Sequence, residues 1–74
     1  MPPLPKLMGT FVEGDNAWAH LMSREVGVRV LQLHAGIDEF TISAIEPGRV
    51  ELSWRDQTRW LEIERPKNAI AQRP

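Results

Sequence analysis

The sequence predicts an all-β domain, a small sandwich or semi-open barrel of about six antiparallel strands in two sheets. Three observations predict it. Short segments of β-type residues recur at roughly ten-residue spacing, several of them alternating apolar with polar. Turn-forming residues separate them, as in Glu13-Gly14-Asp15-Asn16 and Glu46-Pro47-Gly48. No long apolar stripe of helical period runs anywhere in the chain.

The elements follow in order. Met1–Pro5 holds three of the six prolines and reads as the end of an extended linker. Lys6–Val12 is a first strand, expected to put Leu7 and Phe11 on one face and Met8, Thr10 and Val12 on the other. After the Glu13–Asn16 turn comes Ala17–Met22, apolar on both parities, which predicts neighbours over both of its faces. A helix over Asp15–Glu25, capped by Asp15 with Trp18, Leu21 and Met22 on one side, is the alternative for this stretch. Ser23–Gly27 turns the chain again.

In Val28–Leu33 the apolar parity slips from Val28 and Val30 to Leu31 and Leu33, as a β-bulge near Val30 would produce. His34-Ala35-Gly36 is a turn. Phe40–Ile45 slips a second time, between Ile42 and Ile45. Glu46-Pro47-Gly48 carries Pro and Gly where a type II turn wants them. Val50, Leu52 and Trp54 then alternate with Arg49, Glu51, Ser53 and Arg55, the clearest one-sided strand of the chain. After Arg55–Thr58, the last strand, Arg59–Glu64, sets Leu61 and Ile63 against Trp60, Glu62 and Glu64. The folded body is therefore residues 6–65, preceded by the linker end, 1–5, and followed by a flexible tail or linker, 66–74.

Seventy-four residues suffice for one small domain. Nine Lys and Arg against ten Asp and Glu leave a net charge of −1, which disfavours electrostatic binding to nucleic acid or anionic membranes. With no cysteine there is no disulfide framework, thiolate metal site or Cys nucleophile. Catalysis finds no support in the pattern. Ser23, Ser43 and Ser53 lie outside any nucleophile elbow, and His20 and His34 assemble no triad with them. The two histidines fall on different elements without a third ligand, so no metal is expected. His20 reads as a partly buried structural imidazole and His34 as a solvated one. No glycine pattern cradles a phosphate, and no cofactor is expected. Single-stranded nucleic acid stays as an alternative, since small β-barrels bind it through aromatic platforms. Trp18, Trp54 and Trp60 are available for that, with Arg55 and Arg59 nearby. Against it, Glu51, Asp56, Glu62 and Glu64 interleave with those arginines. Trp54 shares its parity with core residues, and Trp60 is the semi-exposed one.

The stretch Lys6-Leu7-Met8-Gly9-Thr10-Phe11-Val12-Glu13-Gly14-Asp15-Asn16-Ala17-Trp18-Ala19-His20-Leu21 resembles the opening of the periplasmic PilP domain of type IV pilus machines. It is equally similar to the homology region of GspC, the inner-membrane clamp protein of type II secretion. The later half fits the same pattern, with Gly36, then Phe40-Thr41-Ile42-Ser43-Ala44-Ile45, Glu46-Pro47-Gly48, Arg49-Val50-Glu51-Leu52 and Leu61-Glu62-Ile63. Those domains commonly carry Gly-Asp in the third loop, where this chain has Ala35-Gly36-Ile37-Asp38. The resemblance spans Leu7 to Ile63 and implies a two-sheet sandwich without catalytic activity. It implies a periplasmic location, tethered to the inner membrane by an anchor segment of a longer parent. Its expected partners are the N-terminal periplasmic domains of an outer-membrane secretin, with other inner-membrane platform proteins. An unclosed sandwich has edge strands, and an edge is a ready site for backbone pairing with a partner. The first strand is the expected docking edge, through Met8, Thr10 and Val12. Packing of those side chains on the domain's own second sheet is the alternative use.

Overall fold

The computed structural model describes residues 1–63 as an all-β fold of seven strands in two antiparallel sheets. They are β1 (Lys6–Glu13), β2 (Asn16–Ser23), β3 (Gly27–Gln32), β4 (Gly36–Ile37), β5 (Phe40–Glu46), β6 (Arg49–Trp54) and β7 (Gln57–Glu62). The first sheet has the order β1-β2-β3 and the second β4-β5-β6-β7. Each sheet is a meander, because every connection is short enough only for an antiparallel neighbour. The expected tail, 66–74, and the last two residues of the expected body, 64–65, lie outside the described residues.

The two sheets meet over one core. Leu7, Ala19 and Leu21 come from the first sheet; Ile37, Phe40, Ile42, Val50 and Leu52 come from the second. Leu31, Ala35, Ile45, Trp54, Leu61 and Ile63 pack around them, half-buried. β1 lies across β5, β6 and β7, and β2 across β5. β3 overhangs, and reaches the core through Leu31. A domain so small buries only about 60% of its unfolded surface, so each of these side chains counts heavily.

Turn chemistry fixes the connections. Gly14, Gly27 and Gly48 all take positive φ, at 61°, 77° and 82°, where a Cβ would be strained. Ser23 Oγ accepts the N–H groups of Glu25 at 3.0 Å and Val26 at 3.3 Å, closing the β2–β3 turn from within. Gly48 stands after Pro47 at the position where a type II turn requires positive φ. Beyond β3, His34 N–H donates to Ile42 O and Ile42 N–H to Ala35 O, so the crossing between sheets is stitched to β5.

Bulges set the faces, and here the structure both agrees with the sequence and corrects it. In β5, Ile42 pairs with Leu52 and Ala44 with Glu51, so Ser43 is the extra residue. This is the slip expected between Ile42 and Ile45. In β3 the expected bulge is absent. Its pairing with β2 runs unbroken from Trp18↔Gln32 to Ser23↔Gly27. Val28 and Val30 lie on the outer face while Leu31 turns inward, so apolar residues occupy both parities without any insertion. β1 carries a bulge instead, since Leu7 pairs with Leu21 and Gly9 with His20, leaving Met8 over. Leu7 therefore does not share a face with Phe11. The seventh strand, β4, is a two-residue element in what the sequence presents as a loop, and it delivers the buried Ile37. The helical alternative for Asp15–Glu25 is overturned by β2, which spans Asn16–Ser23. Neighbours over both faces of β2 are not found either: Ala19 and Leu21 are buried, while His20 and Met22 are exposed on the opposite side.

Candidate docking edge

β1 is an outermost strand of the first sheet. It pairs with β2 on one side, and among the described residues no strand pairs with it on the other. The segment arriving at it ends in Pro5, which is buried and has no N–H to offer a ladder. The Met8 bulge interrupts the strand early, since an extra residue bends and twists the strand that carries it. The regular stretch is Gly9–Glu13, paired residue by residue from Gly9↔His20 to Glu13↔Asn16. Its unpaired backbone groups are the chemically open feature of the strand.

The three side chains expected to share the outward face are separated by the bulge. Met8 sits in the bulge and is exposed. Thr10 pairs with Ala19 and faces the second sheet, where its Oγ1 accepts the Gly48 N–H at 2.8 Å. Val12 pairs with Ala17 on that same inner parity. It remains 46% exposed, near the outer end of the strand, before the β1–β2 turn. Phe11 turns outward with its ring 5.4 Å from Trp18. Met8 and Val12 are thus accessible beside the free edge, and Thr10 is committed to the contact between sheets.

The serines are engaged in holding the fold. Ser43 Oγ donates to Glu51, 3.0 Å from Oε1, and Ser53 Oγ donates to Thr41 O at 3.3 Å. Together with Ser23 in its turn, the three serines each have a structural partner. His20 is exposed on the outer face of the first sheet, and so is not the partly buried imidazole that its neighbours Trp18 and Met22 suggest. His34 is exposed with φ 74°. Among the described residues no three His, Cys, Asp or Glu side chains gather as metal ligands.

The aromatic side chains of the last hairpin are partnered by arginine. The Arg49 guanidinium lies 4.1 Å from the centre of the Trp60 ring while its Nε donates to Glu46 Oε1 at 2.8 Å. Arg55 covers Trp54 at 4.6 Å. Each stack covers one π-face of its ring. Trp60 is 40% exposed, and Trp54 packs against the core, as the parity of each predicts. An open cleft of about 640 Å³ lies at the end of the sandwich between Pro2, Pro3 and Leu4 and the turns at Arg24 and Glu39. Lys6, Arg24, Glu25, Asp38 and Glu39 give that cleft both signs of charge. Comparison with family models, with curated proteins and with solved structures found no match for this chain.

Proposed function

We propose that the domain is a non-enzymatic adaptor of a type II secretion or type IV pilus machine. In this reading it lies in the periplasm, tethered to the inner membrane through its full-length parent. It links the platform proteins there to the N-terminal periplasmic domains of an outer-membrane secretin. The single observation that supports the reading is the edge of β1 over Gly9–Glu13, which no strand pairs among the described residues, flanked by the accessible Met8 and Val12. An edge strand binds by backbone pairing, which supplies affinity with little demand on side chains, while alternate side chains fill shallow pockets. The resemblance of Leu7–Ile63 to PilP and GspC domains supplies the class of partner.

The test is isothermal titration of the full chain against the N-terminal domains of a secretin, with a single-stranded oligonucleotide titrated in parallel. Heat from the secretin arm alone supports the adaptor. Saturable binding of the oligonucleotide without any to secretin domains overturns it in favour of a nucleic-acid module.

A further inference from the structure

The outer face of the first sheet, on the side away from the second sheet, is a grid set by the strand register. Its rows are Phe11–Trp18–Gln32, Gly9–His20–Val30 and Lys6–Met22–Val28. Phe11, Met22, Val28 and Val30 are all exposed, and Trp18 is half-buried. These five apolar side chains surround the exposed His20, with Lys6 and Gln32 at two corners, and form a patch of the size that on a monomer is often functional.

The middle row has a hollow at one end and a knob at the other. A Cβ built on Gly9 meets no atom within 4 Å, so the position is open space. Two strands away, roughly 10 Å across the sheet, Val30 is 60% exposed, more than any other large apolar side chain of the described residues. A two-fold axis running along β2 at His20, midway between two stacked sheets, carries Val30 of each copy onto Gly9 of the other. The same axis sets Trp18, His20 and Met22 over their own counterparts, so the exposed imidazole meets its twin at the centre of the face. Hollow and knob at matching distances from one axis is the self-complementarity that an isologous interface requires.

We propose that this face is a self-association surface, on which a second copy of the chain docks sheet to sheet with Val30 over Gly9. The exposed fractions leave roughly 400–500 Å² of patch per copy, so a dimer buries about 800–1,000 Å² in all, at the weak, transient end of specific interfaces. An interface of that size is expected to be reversible, and the test spans the range about 0.1–1 mM that a weak, transient dimer would occupy. The face is distinct from the free backbone edge of β1, and the inference does not rest on the secretin reading.

Sedimentation velocity of the full chain, from about 10 μM to about 2 mM to bracket that range, is expected to show a reversible monomer–dimer equilibrium. Gly9→Leu fills the hollow and Val30→Ser removes the knob, and each is expected to weaken association about tenfold or more. Val30 is exposed on an edge strand, so its variant keeps the fold even should Gly9→Leu disturb it. The chain has no cysteine, which makes cross-linking clean. Gly9→Cys mixed with Val30→Cys under oxidation is expected to give more mixed disulfide than either variant gives alone. A monomer at the highest concentration overturns the proposal, as does association that neither variant weakens or a preference for the homodisulfides.

Discussion

The backbone N–H of Gly48 donates to Thr10 Oγ1 across 2.8 Å, joining a turn of the four-stranded sheet to the edge strand of the other. Thirty-eight residues separate the two in sequence, so the bond closes a long loop and pins β1 onto the sandwich. The same turn is held at its carbonyl, where Gly48 O accepts the N–H of Ile63 at 3.2 Å. Thr10→Val keeps the shape of the side chain and removes the acceptor, leaving a part-buried donor without its partner. Chemical denaturation is expected to show a loss of about 1–3 kcal/mol, the cost of an unsatisfied polar group. A variant as stable as the parent would mean that solvent replaces the hydroxyl there at no cost.

Leu52→Ala is expected to cost about 2–5 kcal/mol, through lost burial plus the cavity left behind. Leu52 is 1% exposed and pairs with Ile42, itself fully buried, so little around it is free to collapse. Total stability for a chain this short is about 4–11 kcal/mol. Thermal melting reads the change directly, and an unshifted midpoint would place Leu52 outside the core.

The hairpin between β4 and β5 sets both of its central residues at positive φ, Asp38 at 51° and Glu39 at 74°. Such a turn favours Asn-Gly or Asp-Gly, because a residue with a Cβ pays roughly 1–2 kcal/mol for the left-handed conformation. Glu39→Gly is expected to stabilise by about 0.5–1 kcal/mol, part of that relief being lost to the greater freedom of glycine in the unfolded chain. A rise in the urea midpoint at constant slope is the readout. A fall would show that the Glu39 side chain contributes more than its backbone costs.

Val12→Arg is expected to weaken secretin binding by about 1–3 kcal/mol, as a charge placed in an apolar contact beside the pairing edge. Circular dichroism serves as the folding control, and Val12 is exposed enough to accept the change. Thr10→Pro also deletes a backbone donor of β1, but it removes the Gly48 partner as well, so Val12→Arg is the cleaner probe. If folded Val12→Arg binds as the parent does, the contact lies elsewhere, and Trp60 on the last hairpin is the next residue to replace.

Where one side of a strand is polar, its orientation was legible in the sequence. β6 alternates Arg49, Glu51 and Ser53 with Val50, Leu52 and Trp54, and the structure buries Val50 and Leu52 and packs the half-buried Trp54 beside them, as the pattern demands. The slip at Ser43 was readable too, because Thr41 and Ser43 mark the outer parity before it. β1 and β3 gave no such mark. Leu7, Met8, Phe11 and Val12 occupy both parities, so nothing in the sequence located the Met8 bulge. Val28 and Val30 appeared to need burial, yet among the described residues the first sheet is covered on only one side. β4 was invisible because two residues cannot display a period, and Ile37 reached the core unannounced. For the candidate site, the position of the first strand at an edge was legible from its place in the chain. Which of its side chains point outward depended on the bulge and was not.

The bulges at Met8 and Ser43 also bear on how such a chain tolerates insertion and deletion during divergence. Elsewhere in a strand, losing one codon inverts every side chain beyond it. Losing Met8 does not, because Leu7 already pairs with Leu21 and Gly9 with His20, the adjacent position on β2. Ser43 is spare in the same sense between Ile42 and Ala44. Each sheet thus holds a site where a single-residue gap leaves the facing of every later side chain unchanged, although a gap at Ser43 also removes its bond to Glu51. Descendants lacking either residue would keep the same core while falling out of step in any ungapped comparison.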